Sequence, residues 1–112
     1  MYTLKNKVQL SGNVGQAPEI KNLEGGKKVA FFSLATNETY KNAEGEKVVE
    51  TQWYKLSGWG KVADLCEKYL SKGSHVAIEG KLIHRDYTDA NGVKRYVTEV
   101  QISELLIMDK AN

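Results

Sequence analysis

The stretch Thr51–Gly73 reads TQWYKLSGWGKVADLCEKYLSKG and changes its periodicity once, at Gly60. Before Gly60, alternation at period two predicts a β-strand. One face of that strand combines large rings with cations: Trp53, Lys55, Ser57, Trp59 and Lys61. After Gly60, apolar residues recur at helical spacing up to a stop at Gly73: Val62, Leu65, Cys66, Tyr69 and Leu70. The stretch therefore predicts a strand followed directly by a helix that plugs the core.

The mixed face of this strand indicates a particular kind of ligand. An ordinary half-buried strand points its apolar side chains inward and its polar ones outward. Rings and cations on one face instead suit single-stranded nucleic acid, which offers both π-faces and phosphates. At roughly 3.3 Å per residue, Trp53 and Trp59 lie about 20 Å apart along an extended strand, so we expect them to engage different nucleotides.

The rest of the chain adds strands on both sides of this stretch. The patterns predict four further strands: Lys7–Val14, Lys28–Tyr40, one from Val76 to Tyr87, and a return strand that carries Tyr96, Thr98, Val100 and Ile102. Asn91-Gly92 is a strong turn signal for the hairpin between the last two. The predicted fold class is all-β (mainly β): a five-stranded OB-fold Greek-key barrel with one α-helix between strands 3 and 4.

The predicted strand Lys28–Tyr40 is apolar on both of its faces. One face carries Val29, Phe31 and Ala35, and the other carries Ala30, Phe32 and Leu34. Two apolar faces imply that both are covered. The second face is covered either by another subunit or within the chain, and the sequence leaves both readings open.

Composition limits the classes of function. At 112 residues, the chain is predicted to be a single domain spanning residues 1–112, with no secretion signal and no membrane-spanning run. A net charge of +2 is not diagnostic, but fourteen of the sixteen cations are lysines, which favours phosphate contact without sequence choice. His75 and His84 match no metal-binding spacing, and Cys66, on the apolar stripe of the helix, is predicted to be an inert thiol. We expect no enzyme, no metal and no cofactor.

Further rings and cations extend the candidate binding surface. Each of four aromatic residues has a cation one or two positions away, and we predict that all four stack on bases: Tyr40, Trp53, Trp59 and Tyr87. The predicted phosphate contacts are six cations: Lys7, Lys55, Lys61, Lys81, Arg85 and Arg95.

Taken together, the motifs of this chain resemble the bacterial-type single-stranded DNA-binding proteins (SSB). The similarity runs from about Asn6 to Met108. It rests on several segments: Gly12-Asn13-Val14-Gly15-Gln16, Leu34-Ala35-Thr36, Trp53-Tyr54-Lys55, Gly60-Lys61-Val62-Ala63, Ile78-Glu79-Gly80-Lys81-Leu82 and Arg95-Tyr96-Val97-Thr98-Glu99-Val100. The resemblance implies a cytoplasmic, nucleoid-associated homotetramer that wraps single-stranded DNA in replication, recombination and repair.

The resemblance also bears on individual residues. The stacking aromatics of the family fall on the same four positions as above. Tyr40 and Tyr87 are tyrosines where well-known members have tryptophan, and Trp59 stands where phenylalanine is common. Tyr54 occupies a position near a subunit contact that is often histidine in the family.

The end of the sequence departs from the family pattern. Members usually continue into a flexible linker and an acidic tip that recruits other proteins, whereas this sequence ends at Asp109-Lys110-Ala111-Asn112. Either it is a shortened chain, or it is a tail-less paralogue that binds DNA without recruiting partners. Without an acidic tail we do not expect recruitment of repair or replication proteins. Two other functions stay open: a primosomal or RNA-binding OB-fold relative, and a structural oligomer whose aromatics form subunit contacts.

Overall fold

The computed structural model of this protein describes residues 5–108 and consists mainly of β-strands. In chain order the elements are β1 (Val8–Val14), β2 (Glu19–Leu23), a 3-10 turn (Glu24–Gly26), β3 (Lys27–Lys41), β4 (Lys47–Trp59), α1 (Lys61–Tyr69), β5 (His75–Thr88) and β6 (Lys94–Met108). Residues 109–112, where the sequence departs from the family pattern, lie outside the described residues.

Five of the strands close into a barrel. The strand order is β1-β5-β6-β4-β3-β2, and an additional pairing of β1 with β3 joins the ring. The helix lies between the third and fourth strands of that ring, so the predicted OB-fold is confirmed. β2 is a sixth strand that pairs only with β3, through Glu19 opposite Phe31 to Leu23 opposite Lys27. The sequence analysis did not predict it, because only Ile20 of its five residues is even partly buried and no alternation marks it.

The core is filled by one set of alternating side chains from the barrel strands and by one side of the helix. Its members are Val14, Ala30, Phe32, Leu34, Leu56, Ala63, Cys66, Leu70, Val76, Ile78, Val100 and Ile102. The helix does plug the barrel, but the predicted apolar stripe is too wide. Leu65 and Tyr69 are 39% and 55% exposed, because only a narrow side of this nine-residue helix contacts the barrel.

Two features place the helix directly after β4. Gly60 has a φ of 61°, a conformation that glycine adopts at little cost, and this turns the chain from strand to helix. The Lys28 ammonium on β3 donates to Asp64 Oδ1 at 2.9 Å and also to Glu67, tying the helix to the barrel. These two hydrogen bonds, with Glu67 first, raise the pKa of Lys28.

The second apolar face of β3 is covered within the chain at Val29 and only partly at Phe31 and Ala35. Val29 is 1% exposed in the isolated chain, which supports the reading of burial within the chain at that position. Phe31, two residues further on the same face, stays partly exposed.

Two hairpins extend beyond the barrel as mostly exposed arms: the β3–β4 arm, residues 36–52, and the β5–β6 arm, residues 81–98. Tyr96 follows the predicted parity with Val100 and Ile102, yet it is 76% exposed because it lies on this second arm, outside the barrel. The predicted tip is confirmed, since the Gly92 N–H donates to the Asp89 carbonyl at 3.0 Å. Within residues 5–108, no helix has the length and apolarity needed to cross a membrane.

Candidate nucleic-acid interface

The two tryptophans lie on one exposed face of β4. Trp53 pairs with Ala35 of β3 and Trp59 pairs with Val29, so the register places both rings on the face opposite the core. Trp53 is 61% exposed and Trp59 is 40% exposed. Lys55 lies between them and is also exposed. This face of β4, with the paired positions of its neighbours, is called the outer face below.

Two members of the predicted face behave differently from the rest. Ser57 has the right parity but is fully buried, and its hydroxyl has no hydrogen-bond partner among residues 5–108. Lys61 is exposed but lies on α1, because β4 ends at Trp59 and the turn at Gly60 breaks the alternation. The prediction that Lys61 shares the strand face is therefore wrong, while its role as a phosphate contact stays a prediction.

The Trp53 ring rests against the backbone just after β1. A Cβ atom placed on Gly15 would come within 2.7 Å of Cζ3 of the Trp53 ring. The Gly15 N–H donates to the Ser33 carbonyl at 2.9 Å, which fixes this backbone against β3. Only glycine therefore leaves room for the ring in this position. The sequence analysis did not connect Gly15 with Trp53, because the two meet only after β1 and β3 pair.

The outer face continues from β4 across β6 to β5. Ser57 pairs with Gln101 of β6, and Gln101 pairs with Lys81 of β5. Further along the same face, Tyr87 pairs with Arg95. Two open clefts lie on this continuous surface, and each brings predicted site residues together.

The larger cleft measures about 830 Å³ and lies between β2, β3 and the β5–β6 arm. The predicted site residues Lys55, Arg85 and Tyr87 line it, together with Lys21 and Phe31, which the sequence analysis did not assign to the site. We call it the Phe31 cleft. The smaller cleft measures about 480 Å³ and brings together Lys5, Lys7, Trp59 and Lys81.

Tyr40 is not brought to the outer face. It pairs with Val48 on the β3–β4 arm, five residues beyond Ala35, the partner of Trp53. An odd spacing along a strand reverses the side-chain direction, so Tyr40 lies on the opposite face of the arm. It is 50% exposed there. The stacking role of Tyr40 stays a prediction. A ligand bound on the outer face would reach this ring only by passing around the edge of the arm.

The six predicted cations fall into two groups. Three are already paired with carboxylates: Arg85 with Glu99 at 3.0 Å, Arg95 with Asp89 at 2.9 Å and Lys7 with Glu79 at 3.5 Å. The Arg95 hydrogen bond, with those of the Val93 and Asn91 amides, lowers the pKa of Asp89. Lys55, Lys61 and Lys81 have no ion pair within the described part of the chain. These three lysines therefore offer full charges to a phosphate backbone.

The described residues contain little that would support reaction chemistry. From residue 5 to residue 108, no group of three or more His, Cys, Asp or Glu side chains could hold a metal ion. Burial raises the pKa of the Cys66 thiol to about 11, so it stays protonated and unreactive near neutral pH.

Comparison with known proteins points to one family. The model of the single-strand binding protein family matches residues 5–108. Single-stranded DNA-binding protein 1 of Chlorobaculum tepidum is 39% identical over 104 residues, which is 92% of this chain and 64% of that protein. This chain thus spans slightly less than two thirds of that relative's length.

Solved structures show the same barrel. The Plasmodium falciparum SSB in complex with ssDNA is 36% identical, with a TM-score of 0.85, and the match covers 97% of this chain and 99% of that one. A deletion mutant of the single-stranded DNA binding protein from Thermus aquaticus is 21% identical with a TM-score of 0.80, covering 93% of this chain and 50% of that one. The second likeness supports the fold alone.

Proposed function

This chain belongs to the single-strand binding protein family, and from that premise we propose that it binds and protects single-stranded DNA without sequence choice in replication, recombination and repair. It acts as a binding protein and not as an enzyme. Trp53, Trp59, Tyr87 and Tyr40 stack on bases, and the six cations of the sequence analysis contact phosphates. The similar structure from Plasmodium falciparum, solved with ssDNA, supports this choice of ligand.

One observation carries the proposal: Trp53, Lys55 and Trp59 are exposed on one face of one strand. Exposed aromatic rings grouped on one face with polar neighbours are typical of an interaction site. Stacking contributes roughly 1–3 kcal/mol per base and tolerates every base. A lysine between two such rings adds a charge term that is also independent of sequence. A flexible single strand can reach both rings and both clefts.

The assembly state and cellular location are part of the proposal. We place the protein in the cytoplasm, at the nucleoid, as a homotetramer. Leu106 is 62% exposed beside a groove of about 550 Å³ that β1, β5 and β6 form. A second copy seated on that groove would cover Leu106. Sedimentation equilibrium measures the mass of the assembly.

Tryptophan fluorescence tests the ligand directly, since Trp53 and Trp59 are the only tryptophans of the chain. Titration with poly(dT) should quench the emission strongly, and affinity should fall as salt rises. Poly(U), duplex DNA and a neutral oligosaccharide serve as matched competitors. Absence of quenching, or saturation by duplex or sugar alone, would contradict the proposal. Equal affinity for poly(U) would favour the RNA-binding alternative.

A further inference from the structure

Phe31 lies between the two tryptophans of the outer face. It pairs with Ser57 of β4, whereas Trp59 pairs with Val29 and Trp53 with Ala35. Along β3, Phe31 is therefore two residues from the position of one tryptophan and four from that of the other. Ser57 is small and buried, so the residue of β4 paired with Phe31 does not cover its ring. The partly exposed ring of Phe31 is the aromatic surface available at the middle of the face.

Two cations from different strands flank this ring. The Lys21 Nζ atom of β2 lies 5.5 Å from the ring centroid, and the Arg85 Cζ atom of β5 lies 5.9 Å from it. Both distances are within the range of a cation–π contact. The ring and both cations line the Phe31 cleft together with Lys55 and Tyr87. The cleft volume of about 830 Å³ is within the usual range for a bound small ligand.

The two cations are held very differently. Arg85 donates from Nε to Oε1 of Glu99 at 3.1 Å, and its Nη2 lies 3.0 Å from the same oxygen; Glu99 is 5% exposed. This ion pair restrains the guanidinium beside the ring, and the N–H groups that make no hydrogen bond within residues 5–108 stay available to a further acceptor. Lys21 has no ion pair among the described residues, and its long side chain can rotate away from the ring.

We propose that Phe31 is a fifth base-stacking residue, at a nucleotide site that also uses Lys21 and Arg85. This inference rests on the proposed function. One base stacks on the Phe31 ring in place of the Lys21 ammonium, and Lys21 moves to the adjoining phosphate. Arg85, positioned by Glu99, borders the base with its fixed plane. A strand that passes from Trp53 to Trp59 thus has a ring to stack on midway.

The test compares Phe31→Leu with a matched control, Tyr96→Leu, in the full chain. Leucine keeps an apolar side chain at position 31 but removes the π-face. Tyr96 is also an exposed ring with a lysine over it, Lys94 at 6.0 Å, but it lies on the other face of the β5–β6 arm. Tryptophan quenching by oligo(dT) should show that Phe31→Leu weakens binding roughly tenfold, since one base loses its stacking partner. Tyr96→Leu should bind like the unmodified chain.

Lys21→Gln provides an independent readout. It should lower the slope of log affinity against log salt by about 0.7, whereas Phe31→Leu should leave that slope unchanged. If the unmodified chain binds oligo(dT) and Phe31→Leu binds equally well, the Phe31 site is overturned and the proposed function stands. If Tyr96→Leu weakens binding as much as Phe31→Leu, the assignment to this cleft is overturned. If the unmodified chain does not bind, the proposed function fails first.

A crosslinking measurement keeps the inference testable if Phe31→Leu fails to fold. The unmodified chain is irradiated with an oligonucleotide that carries iodouracil in place of thymine, and the adducts are mapped by mass spectrometry. An adduct on Phe31, besides those on the tryptophans, is the expected result. Adducts on Trp53 and Trp59 without one on Phe31 would overturn the inference.

Discussion

The hairpin of β3 and β4 and the hairpin of β5 and β6 end in the same kind of turn but carry their cations differently. At one tip, the Asn42 side chain accepts from the Glu44 and Glu46 amides, both at 2.9 Å. At the other, Asp89 accepts from the Asn91 amide at 2.9 Å and the Val93 amide at 3.0 Å. The hydrogen bonding of the turn is therefore the same in the two hairpins.

The distribution of charge does separate them. On the β5–β6 arm, Arg85 and Arg95 are each held by a carboxylate, Glu99 and Asp89. On β4, Lys55 has no ion pair within residues 5–108. A paired cation adds little net charge to the surface, but its plane is fixed. We therefore expect unpaired lysines such as Lys55 to supply affinity and salt dependence, and the paired arginines of the β5–β6 arm to supply shape.

The largest expected effect comes from removing a stacking ring, and it compares a ring on β4 with a ring on the β5–β6 arm. Trp53→Ala should weaken oligo(dT) binding by about 1–3 kcal/mol, because one base loses its ring. Tyr87→Ala should cost less, since the smaller ring stacks over less area. Fluorescence anisotropy of labelled oligo(dT) measures both. A larger loss for Tyr87→Ala would reverse the comparison, and dissociation of the Trp53→Ala assembly in sedimentation would favour the structural-oligomer reading.

Gly15→Ala tests the support of Trp53 without removing the ring. The added Cβ would come within 2.7 Å of the ring and should turn it away from its position. We expect part of the roughly 1–3 kcal/mol stacking contribution to be lost, with the barrel still folded. In the Trp53→Ala background the same substitution should add nothing further. Full additivity in that double-mutant cycle would show that Gly15 acts independently of Trp53.

The salt dependence of DNA affinity distinguishes unpaired cations from paired ones. Lys55→Gln should lower the salt slope by about 0.7, the value for one phosphate of a single strand. The double variant Asp89→Asn with Arg95→Gln removes a cation and its carboxylate together, so its slope should stay close to that of the unmodified chain. Asparagine keeps the oxygen that caps the turn. Equal slope changes in the two variants would mean that Arg95 acts as a free charge.

The smallest expected effect is a loss of local stability at the tip of the β5–β6 arm at acid pH. The Arg95 hydrogen bond, followed by the amide of Val93, holds the pKa of Asp89 below its ordinary value of 3.8. A carboxylate whose pKa is lowered by folding stabilises the folded state above its unfolded pKa, and this contribution is lost as pH falls through the folded pKa. The protection of the Val93 amide against exchange, relative to its intrinsic rate, should therefore fall below about pH 3.8. Asp89→Asn should remove this pH dependence, and exchange at Glu46, on the other tip, is the internal control.

Local patterns in the sequence predicted most of the fold and part of the site. The strand-to-helix change at Gly60 and the Asn91-Gly92 turn are local signals, and both elements lie where predicted. β2 was missed because an edge strand paired on one side, with almost no burial, has no hydrophobic period. Leu65 and Tyr69 were wrongly assigned to the buried stripe of α1. The spacing of apolar residues shows which side of a helix faces the barrel but not how wide the covered surface is.

The pairing of the cations could not be predicted, since it depends on register between distant strands. Glu99 reaches Arg85 only because β5 and β6 pair with Ile83 opposite Glu99. Phe31 was assigned to an apolar strand face for a related reason. Its two cations come from β2, which was not predicted, and from β5, far along the chain.

The closure of the barrel by β1 has a consequence for the order of folding during synthesis. β1 leaves the ribosome first, but its main partner is β5, with Val8 opposite Gly80 and Asn13 opposite His75. The β3–β4 hairpin needs only neighbouring sequence and can form much earlier. Until β5 emerges, β1 can pair with β3 only at Asn13 and Val14. Most of its backbone then stays unpaired beside a finished hairpin, an arrangement open to chaperones and to pairing with other nascent chains.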